Sequence, residues 1–209
     1  LKSMQPHLNL ILLQAAHLPK PVAELHGLCA SWLETRRLPQ PLASIPSNAL
    51  VIDLADFAYW PRFEDQSLHF FFAGALGLKP STLDPATLAN HWLCRLSLPA
   101  LAPAWAESPY VLLVPRASST LRDIPPDVQL ELAEQVWQCY RLPIASFTPL
   151  AHPAVHHVGS FAPDTAHLLA WVRGAALLVA TDIAAVHAAA GYGVPTLAGF
   201  VCVAPALRV

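Results

Sequence analysis

The stretch LLVATDIAAVHAAAGYGVPTLAGF, residues 177–200, carries the pattern that decides the fold. It opens in an apolar run that predicts a buried strand at residues 175–180, and Asp182 follows that strand directly. Residues 183–190 are small and mostly apolar, which predicts a tightly packed helix. Two glycines and a proline then end the helix and introduce a last strand at residues 196–200. The sequence therefore predicts a strand–helix–strand unit with an acidic residue after its first strand.

The same alternation extends upstream through the second half of the chain. Strands are predicted at residues 110–114 and 142–147. A helix is expected at residues 127–140, and another follows residues 162–164 and runs to Val172. Alternating strands and helices predict an α/β fold with a parallel sheet covered on both faces. Ligands of such sheets bind at the carboxyl ends of the strands. One crevice is therefore expected between four loops, at residues 115–122, 148–152, 181–187 and 201–205.

The first half of the chain has shorter signals. Residues 8–13 predict one buried strand, and residues 22–37 show an apolar stripe that predicts a helix with two arginines in its last turn. Residues 49–54 predict a second buried strand. Residues 68–78 predict a helix that stops at Gly77.

Proline-rich and irregular segments set the expected domain organisation. Residues 38–48 contain three prolines and predict a loop, while residues 79–108 predict an irregular connection. We therefore expect a reduced N-terminal α/β domain at residues 1–80. A linker is expected at residues 81–108, and a C-terminal Rossmann-like domain at residues 109–209.

Composition excludes several classes of function. Charged residues make up 12% of the 209 residues, against a usual share of about 25%. A net charge of -2 offers no basic surface for nucleic acid. No apolar run reaches the roughly 18 residues that a membrane span needs, and no secretory signal is expected. The four cysteines show no metal-binding or redox spacing, which favours a reducing compartment and a cytoplasmic location.

The stretch at residues 177–200 resembles the family 9 glycosyltransferases, the heptosyltransferases of lipopolysaccharide core assembly. In that family a strand is followed by an Asn-Asp-Ser/Thr-Gly-Pro-Met/Leu-His segment, an alanine-rich helix and a Gly-Thr/Val-Pro motif. The matching residues are Thr181, Asp182, His187, Ala188, Ala189, Ala190, Gly193, Val194 and Pro195. Residues 115–126 look like the family's other donor-side loop, and residues 51–54 and 65–78 look like its upstream elements. The likeness spans about residues 49–201.

The resemblance implies a GT-B-like pair of Rossmann-like domains that transfers a sugar, for example a heptose, from a nucleotide-sugar donor to a glycan or lipid-linked acceptor. It implies no cofactor and no metal. Peripheral membrane association and self-association belong to the same hypothesis, and the scarcity of charge also favours a buried partner surface. The residues it assigns to the donor are Arg116, Ser118, Ser119, Arg122, Thr181, Asp182, Ala184 and His187.

Two departures from the family pattern keep other interpretations open. Ile183, Ala184 and Ala185 stand where the family has Ser/Thr-Gly-Pro, and no Gly-Asp pair follows residues 8–13. The catalytic base would then be His17 or Asp53, with Glu24 as a further candidate. A relative that has lost its chemistry and acts as a binding module fits the same sequence.

A nucleotide-sugar epimerase is the weakest of the enzyme hypotheses, because its acidic and histidine pairs are missing.

Several candidate residues also have simpler structural roles. Asp182 would serve equally well as a helix N-cap. His152, His156 and His157 lack the companion ligands that a metal site needs.

Overall fold

The computed structural model describes residues 9–15, 17–38, 45–54, 56–61, 63, 65–84 and 90–207. The first part of the chain contains two short parallel strands, in which Ile11 lies opposite Glu34. Its regular elements are β1 (Ile11–Gln14), α1 (Lys20–Leu28), β2 (Glu34–Arg37) and α2 (Leu68–Ala75). The strand predicted at residues 8–13 is thus present as β1, with Leu8 outside the described residues.

The helix predicted over residues 22–37 is wrong in its second half. Helix α1 ends at Leu28, and Cys29, its C-cap, is 2% exposed in the main core. The chain then turns back so that residues 34–37 pair with β1. An unpaired β1 edge would leave backbone N–H and C=O groups without partners, and this pairing outweighs the helical stripe. Of the loop predicted at residues 38–48, residues 39–44 lie outside the described part.

The strand predicted at residues 49–54 is also wrong. Leu50 is 86% and Val51 60% exposed, and the segment pairs with neither strand of the β1–β2 sheet. An apolar run forms a buried strand only where a sheet edge is available to it, and no strand of the described residues pairs with this segment. The helix predicted at residues 68–78 is confirmed as α2. Gly77 follows it with a φ of 73°, a left-handed conformation that suits glycine at a helix end.

A five-stranded, entirely parallel sheet forms the second half of the chain, which confirms the predicted α/β fold. Its strand order is β5-β4-β3-β6-β7, and β3 and β6 are neighbours near its middle. The short edge strand β5 was not predicted, because three residues with two histidines make no apolar run. The elements are α3 (Pro103–Ala106), β3 (Val111–Val114), α4 (Pro126–Tyr140), β4 (Ile144–Ser146), β5 (Val155–His157), α5 (Thr165–Gly174), β6 (Leu177–Thr181), α6 (Ala184–Tyr192) and β7 (Thr196–Gly199).

Helices cover both faces of this sheet. Leu112 and Val114 of β3 belong to the larger core, together with residues of α5 and α6. Val111 and Leu113, which point the other way, pack with Ala133 and Val136 of α4. This alternation follows from the two-residue repeat of a strand. Burying one such side chain fully contributes about 1.5–3 kcal/mol, so β3 anchors both layers.

Two segments from the first half pack against this C-terminal part. The Glu24 carboxylate of α1 accepts hydrogen bonds from the backbone N–H of Thr165 (2.8 Å) and from its hydroxyl (2.7 Å), at the start of α5. A 3-10 helix at His91–Arg95 lies against α6, where Gly191 leaves room for the Asn90 carbonyl. The domain boundaries expected near residues 80 and 108 stay a prediction. Across the part of the chain that is described, no helix has the length and apolar character needed to cross a bilayer.

Candidate functional site

The site candidates lie at the carboxyl edge of the central sheet. Val114 of β3 is in register with Ala180 of β6, so the chain leaves both strands side by side. The loop after β3 begins at the buried Pro115, and Asp182 follows the last residue of β6. This juxtaposition brings together the two segments that the sequence predicts on either side of one crevice.

Arg122 connects these two segments. Its Nη1 donates a hydrogen bond to the backbone carbonyl of Asp182 (2.8 Å) and lies 3.7 Å from the Asp182 carboxylate. Its Nη2 donates to the hydroxyl of Ser118 (2.8 Å). The Arg122 side chain is 27% exposed and that of Asp182 only 9%. The guanidinium is thus fixed in orientation while part of it faces solvent.

Thr181 fixes the position of the loop that carries Arg122, residues 115–124, called here the arginine loop. Its hydroxyl donates to the backbone carbonyl of Arg122 and lies 3.4 Å from the carbonyl of Gly199, at the end of β7. The residue is 1% exposed. The Thr181 hydroxyl is therefore engaged inside the protein, where it joins the ends of β6 and β7 to the arginine loop.

Asp123 closes the loop at its other side and was not singled out from the sequence. Its carboxylate accepts a hydrogen bond from the backbone N–H of Ala117 (2.6 Å) and pairs with the Arg116 Nε at 3.5 Å. The Ser119 carbonyl accepts from the Arg122 N–H (3.0 Å). The available signal was an aspartate in a proline-flanked turn, a residue type that often bonds nearby backbone. Arg116 itself keeps 63% of its side chain exposed.

Helix α6 begins directly beside Asp182. Its N-cap is Ile183, whose side chain makes no capping hydrogen bond, so the alternative role of Asp182 as the N-cap is wrong. The Asp182 carboxylate faces Arg122 instead. Ala184, in the first turn, is exposed, and His187 is half-buried one turn further on. The first turn of α6 thus presents the methyl group of Ala184 at the carboxyl edge, where a helix N-terminus favours anions.

The neighbouring helix α5 has its N-terminus already occupied by carboxylates. Asp164 accepts hydrogen bonds from the backbone N–H (2.9 Å) and Nδ1 (2.7 Å) of His167, while Glu24 binds Thr165. These hydrogen bonds lower the pKa of both carboxyl groups. An anionic ligand at this edge would therefore meet negative charge at α5 and find the open first turn at α6.

The two proposed bases lie in the first half of the chain. His17 is exposed in the loop that follows β1, and Asp53 is exposed in the segment that forms no strand. Glu24 has the structural role described above. The assignment of a base to His17 or Asp53 stays a prediction.

The histidines that invite a metal hypothesis are held by different partners. His152 Nε2 lies 2.9 Å from a carboxylate oxygen of Glu134, and His157 Nε2 lies 3.2 Å from the carbonyl of Phe147. The His156 ring packs edge-on against Trp105. Within the described ranges, no group of three or more His, Cys, Asp or Glu side chains is arranged to hold a metal ion.

Comparison with known proteins adds one similar structure. No protein-family model matches the sequence. No curated protein matches it either. Among solved structures, the chain is similar to E. coli heptosyltransferase WaaC with ADP-2-deoxy-2-fluoro heptose, at 17% identity and a TM-score of 0.41. The match covers 100% of this chain and 67% of that one. A likeness of this degree leaves the function to be inferred from the residues at the carboxyl edge.

Proposed function

We propose that the protein is a glycosyltransferase-type enzyme that binds the diphosphate of a nucleotide-sugar donor at the carboxyl edge of β3 and β6. The observation that carries this proposal is Arg122, oriented by Ser118 and Asp182 yet still 27% exposed beside the first turn of α6. A guanidinium and a helix N-terminus are two groups that bind phosphate. The family 9 resemblance of residues 110–201 supports the same assignment.

Each predicted donor residue has a distinct role in this proposal. Arg122 binds the diphosphate, and the exposed Arg116 adds a second cation at the rim. Ser118 and Asp182 orient the Arg122 guanidinium. Ser119 and Thr181 keep the loop in place through backbone carbonyls. The remaining two, Ala184 and His187, lie on α6, whose N-terminal end would face the donor.

The reaction would be an inverting sugar transfer. The acceptor hydroxyl oxygen attacks the anomeric carbon of the donor sugar, and the bond from that carbon to the diphosphate breaks. The nucleoside diphosphate leaves with the electron pair, and a base, His17 or Asp53, takes the hydroxyl proton. Arg122 and the N–H groups of α6 stabilise the negative charge on the leaving diphosphate, which is the largest electrostatic gain available to such a site.

The finer assignments follow from the resemblance and are proposals of the same kind. They are a heptose as the transferred sugar and a glycan or lipopolysaccharide-type acceptor. A cytoplasmic enzyme that meets a lipid-linked acceptor at the membrane surface, and that self-associates, completes this proposal.

A binding module without catalysis is the second candidate. The observation that favours it is the turn between β6 and α6, where Ile183 and the methyl groups of Ala184 and Ala185 stand in place of Ser/Thr-Gly-Pro. Ile183 and the exposed Ala184 narrow the approach of a phosphate to the backbone, Ala185 is buried in the core, and none of the three supplies a hydroxyl donor. In addition, Asp182 already neutralises part of the charge on Arg122.

Calorimetry against ADP, UDP and GDP tests the proposal. We expect one nucleotide to bind, and Arg122→Gln to weaken it about 10- to 100-fold, because a hydrogen bond to a charged group contributes about 1.5–3 kcal/mol. Asp182→Ala should also weaken binding, since it removes the carboxylate 3.7 Å from the guanidinium and leaves its orientation to Ser118 and a backbone carbonyl. Arg173→Gln, at the exposed opposite end of α5, is the matched control and should bind as the wild type does.

The outcomes separate the two candidates. A folded protein that binds none of the three nucleotides would rule out the donor site. Binding that responds to Arg122→Gln, without release of nucleotide from a panel of nucleotide sugars and glycan acceptors, would favour the binding module.

A further inference from the structure

A cavity of about 280 Å³ opens at the amino end of the sheet, opposite the edge described above. It lies between the end of α4 and the first residues of β4 and β5. The walls are mostly apolar and rigid, with one guanidinium and one imidazole among them. The lining residues are Trp137, Arg141, Pro143, Pro153, Ala154 and His156.

Arg141 is held in place on this wall. It caps α4 with a φ of 54°, a left-handed conformation that is uncommon for a residue other than glycine, and its backbone N–H bonds the Trp137 carbonyl at 3.0 Å. Its guanidinium carbon lies 5.5 Å from the centroid of the Trp137 ring. The side chain is therefore positioned by both its backbone and the indole.

The charge of Arg141 is not paired with a carboxylate of the described residues. Among the described residues, no carboxylate lies within 4 Å of its guanidinium nitrogens. The nearby Glu134 is engaged elsewhere, since its oxygens bind His152 and Gln138. Hydrogen bonds from those two side chains, more than Arg141, lower the pKa of the Glu134 carboxyl group.

We propose that this cavity binds a small aromatic carboxylate. The guanidinium would take the carboxylate through paired N–H donors, a geometry that suits arginine. The flat faces of Trp137, Pro143 and Pro153 would contact the ring. A volume of about 280 Å³ is sufficient for a single ring with short substituents.

Titration with benzoate and benzamide tests this site, because the two differ in charge and hardly in shape. The indole N–H signal of Trp137, assigned by its loss in Trp137→Phe, reports binding in the folded protein. We expect benzoate to bind with a Kd on the order of 1 mM, and benzamide about tenfold more weakly.

Arg141→Gly is the decisive variant, because glycine accepts the left-handed backbone and the fold should remain intact. It should weaken benzoate about tenfold or more and leave benzamide unchanged, while Arg173→Gly changes neither. The proposal would be overturned if benzoate at about 20 mM leaves the Trp137 signal unmoved. Equal benzoate affinity in Arg141→Gly would overturn it as well. Neither result bears on nucleotide binding, which is measured at the other edge of the sheet.

Discussion

Replacing Thr181 by valine tests whether one buried hydroxyl holds the arginine loop. Valine keeps the shape of the side chain but has no hydroxyl group. The variant therefore loses the hydrogen bond to the Arg122 carbonyl and the longer contact with the Gly199 carbonyl. Because Thr181 is 1% exposed, water does not reach the Arg122 carbonyl from the side of that hydroxyl. Leaving a buried acceptor unpaired costs about 1–3 kcal/mol. In a chain of 209 residues this corresponds to a fall in Tm of about 2–12 °C.

Two measurements separate the loss of stability from the loss of the loop anchor. Urea unfolding gives the change in the free energy of unfolding, and hydrogen exchange followed by mass spectrometry reports the amides of residues 115–124. Thr181→Val should destabilise the protein and speed exchange in that peptide. Thr181→Ser keeps the hydroxyl and should leave the peptide protected, although it loses about 0.8 kcal/mol of methyl burial. Unchanged stability and exchange in Thr181→Val would refute the anchoring role.

Burial raises the pKa of Tyr192 to about 12. The contribution of the neutral Tyr192 side chain to the free energy of unfolding is therefore complete below pH 10 and is lost as pH rises towards 12. Its hydroxyl has no hydrogen-bond partner among the described residues, so Tyr192→Phe should not destabilise at pH 7 and should flatten the alkaline fall in urea midpoint. Glu24→Gln should reduce the loss of stability below about pH 4.5, because the hydrogen bonds from Thr165 lower the pKa of the Glu24 carboxyl group. If the urea midpoint of this variant falls with decreasing pH as the wild type's does, the contact with Thr165 is contradicted. Gly191→Ala should lower the free energy of unfolding by about 1–3 kcal/mol, since its Cβ would lie 2.6 Å from a backbone oxygen. Gly74→Ala, whose Cβ would meet no atom within 4 Å, should raise it by about 0.5–1 kcal/mol. Thermal unfolding measures both changes.

Most of the fold of the second half follows from its sequence because its central strands β3 and β6 are apolar and paired on both sides, whereas the edge strand β5 is not apolar. Residues 110–114 and 175–180 are buried runs between helices, and a parallel sheet buries strands on both faces. Residues 49–54 are also mostly apolar but pair with no described strand, and Leu50 and Val51 remain exposed. The residue pattern of a segment predicts that it can form a strand. Whether it does so depends on an adjacent strand with which it can pair, and that is a tertiary contact.

The candidate site divides in a similar way. Sequence order places Arg122 and Asp182 at the same edge, because both follow neighbouring strands of a parallel sheet. That Asp182 orients Arg122 instead of capping α6 depends on the path of the loop through Asp123, and no periodicity encodes that path. The use of Glu24 at the start of α5 is equally hidden, because it depends on where α1 docks.

The contact between Glu24 and Thr165 joins residues 141 positions apart, which has a consequence for synthesis on the ribosome. At about 5–20 residues per second, α1 is synthesised roughly 7–28 s before its partner on α5. During that interval its apolar face has nothing to cover it, and nine residues are too few for an isolated helix to persist. The N-terminal helix therefore gains this contact only after α5 has been made, and a nascent chain that stalls before α5 exposes this segment to chaperones and proteases.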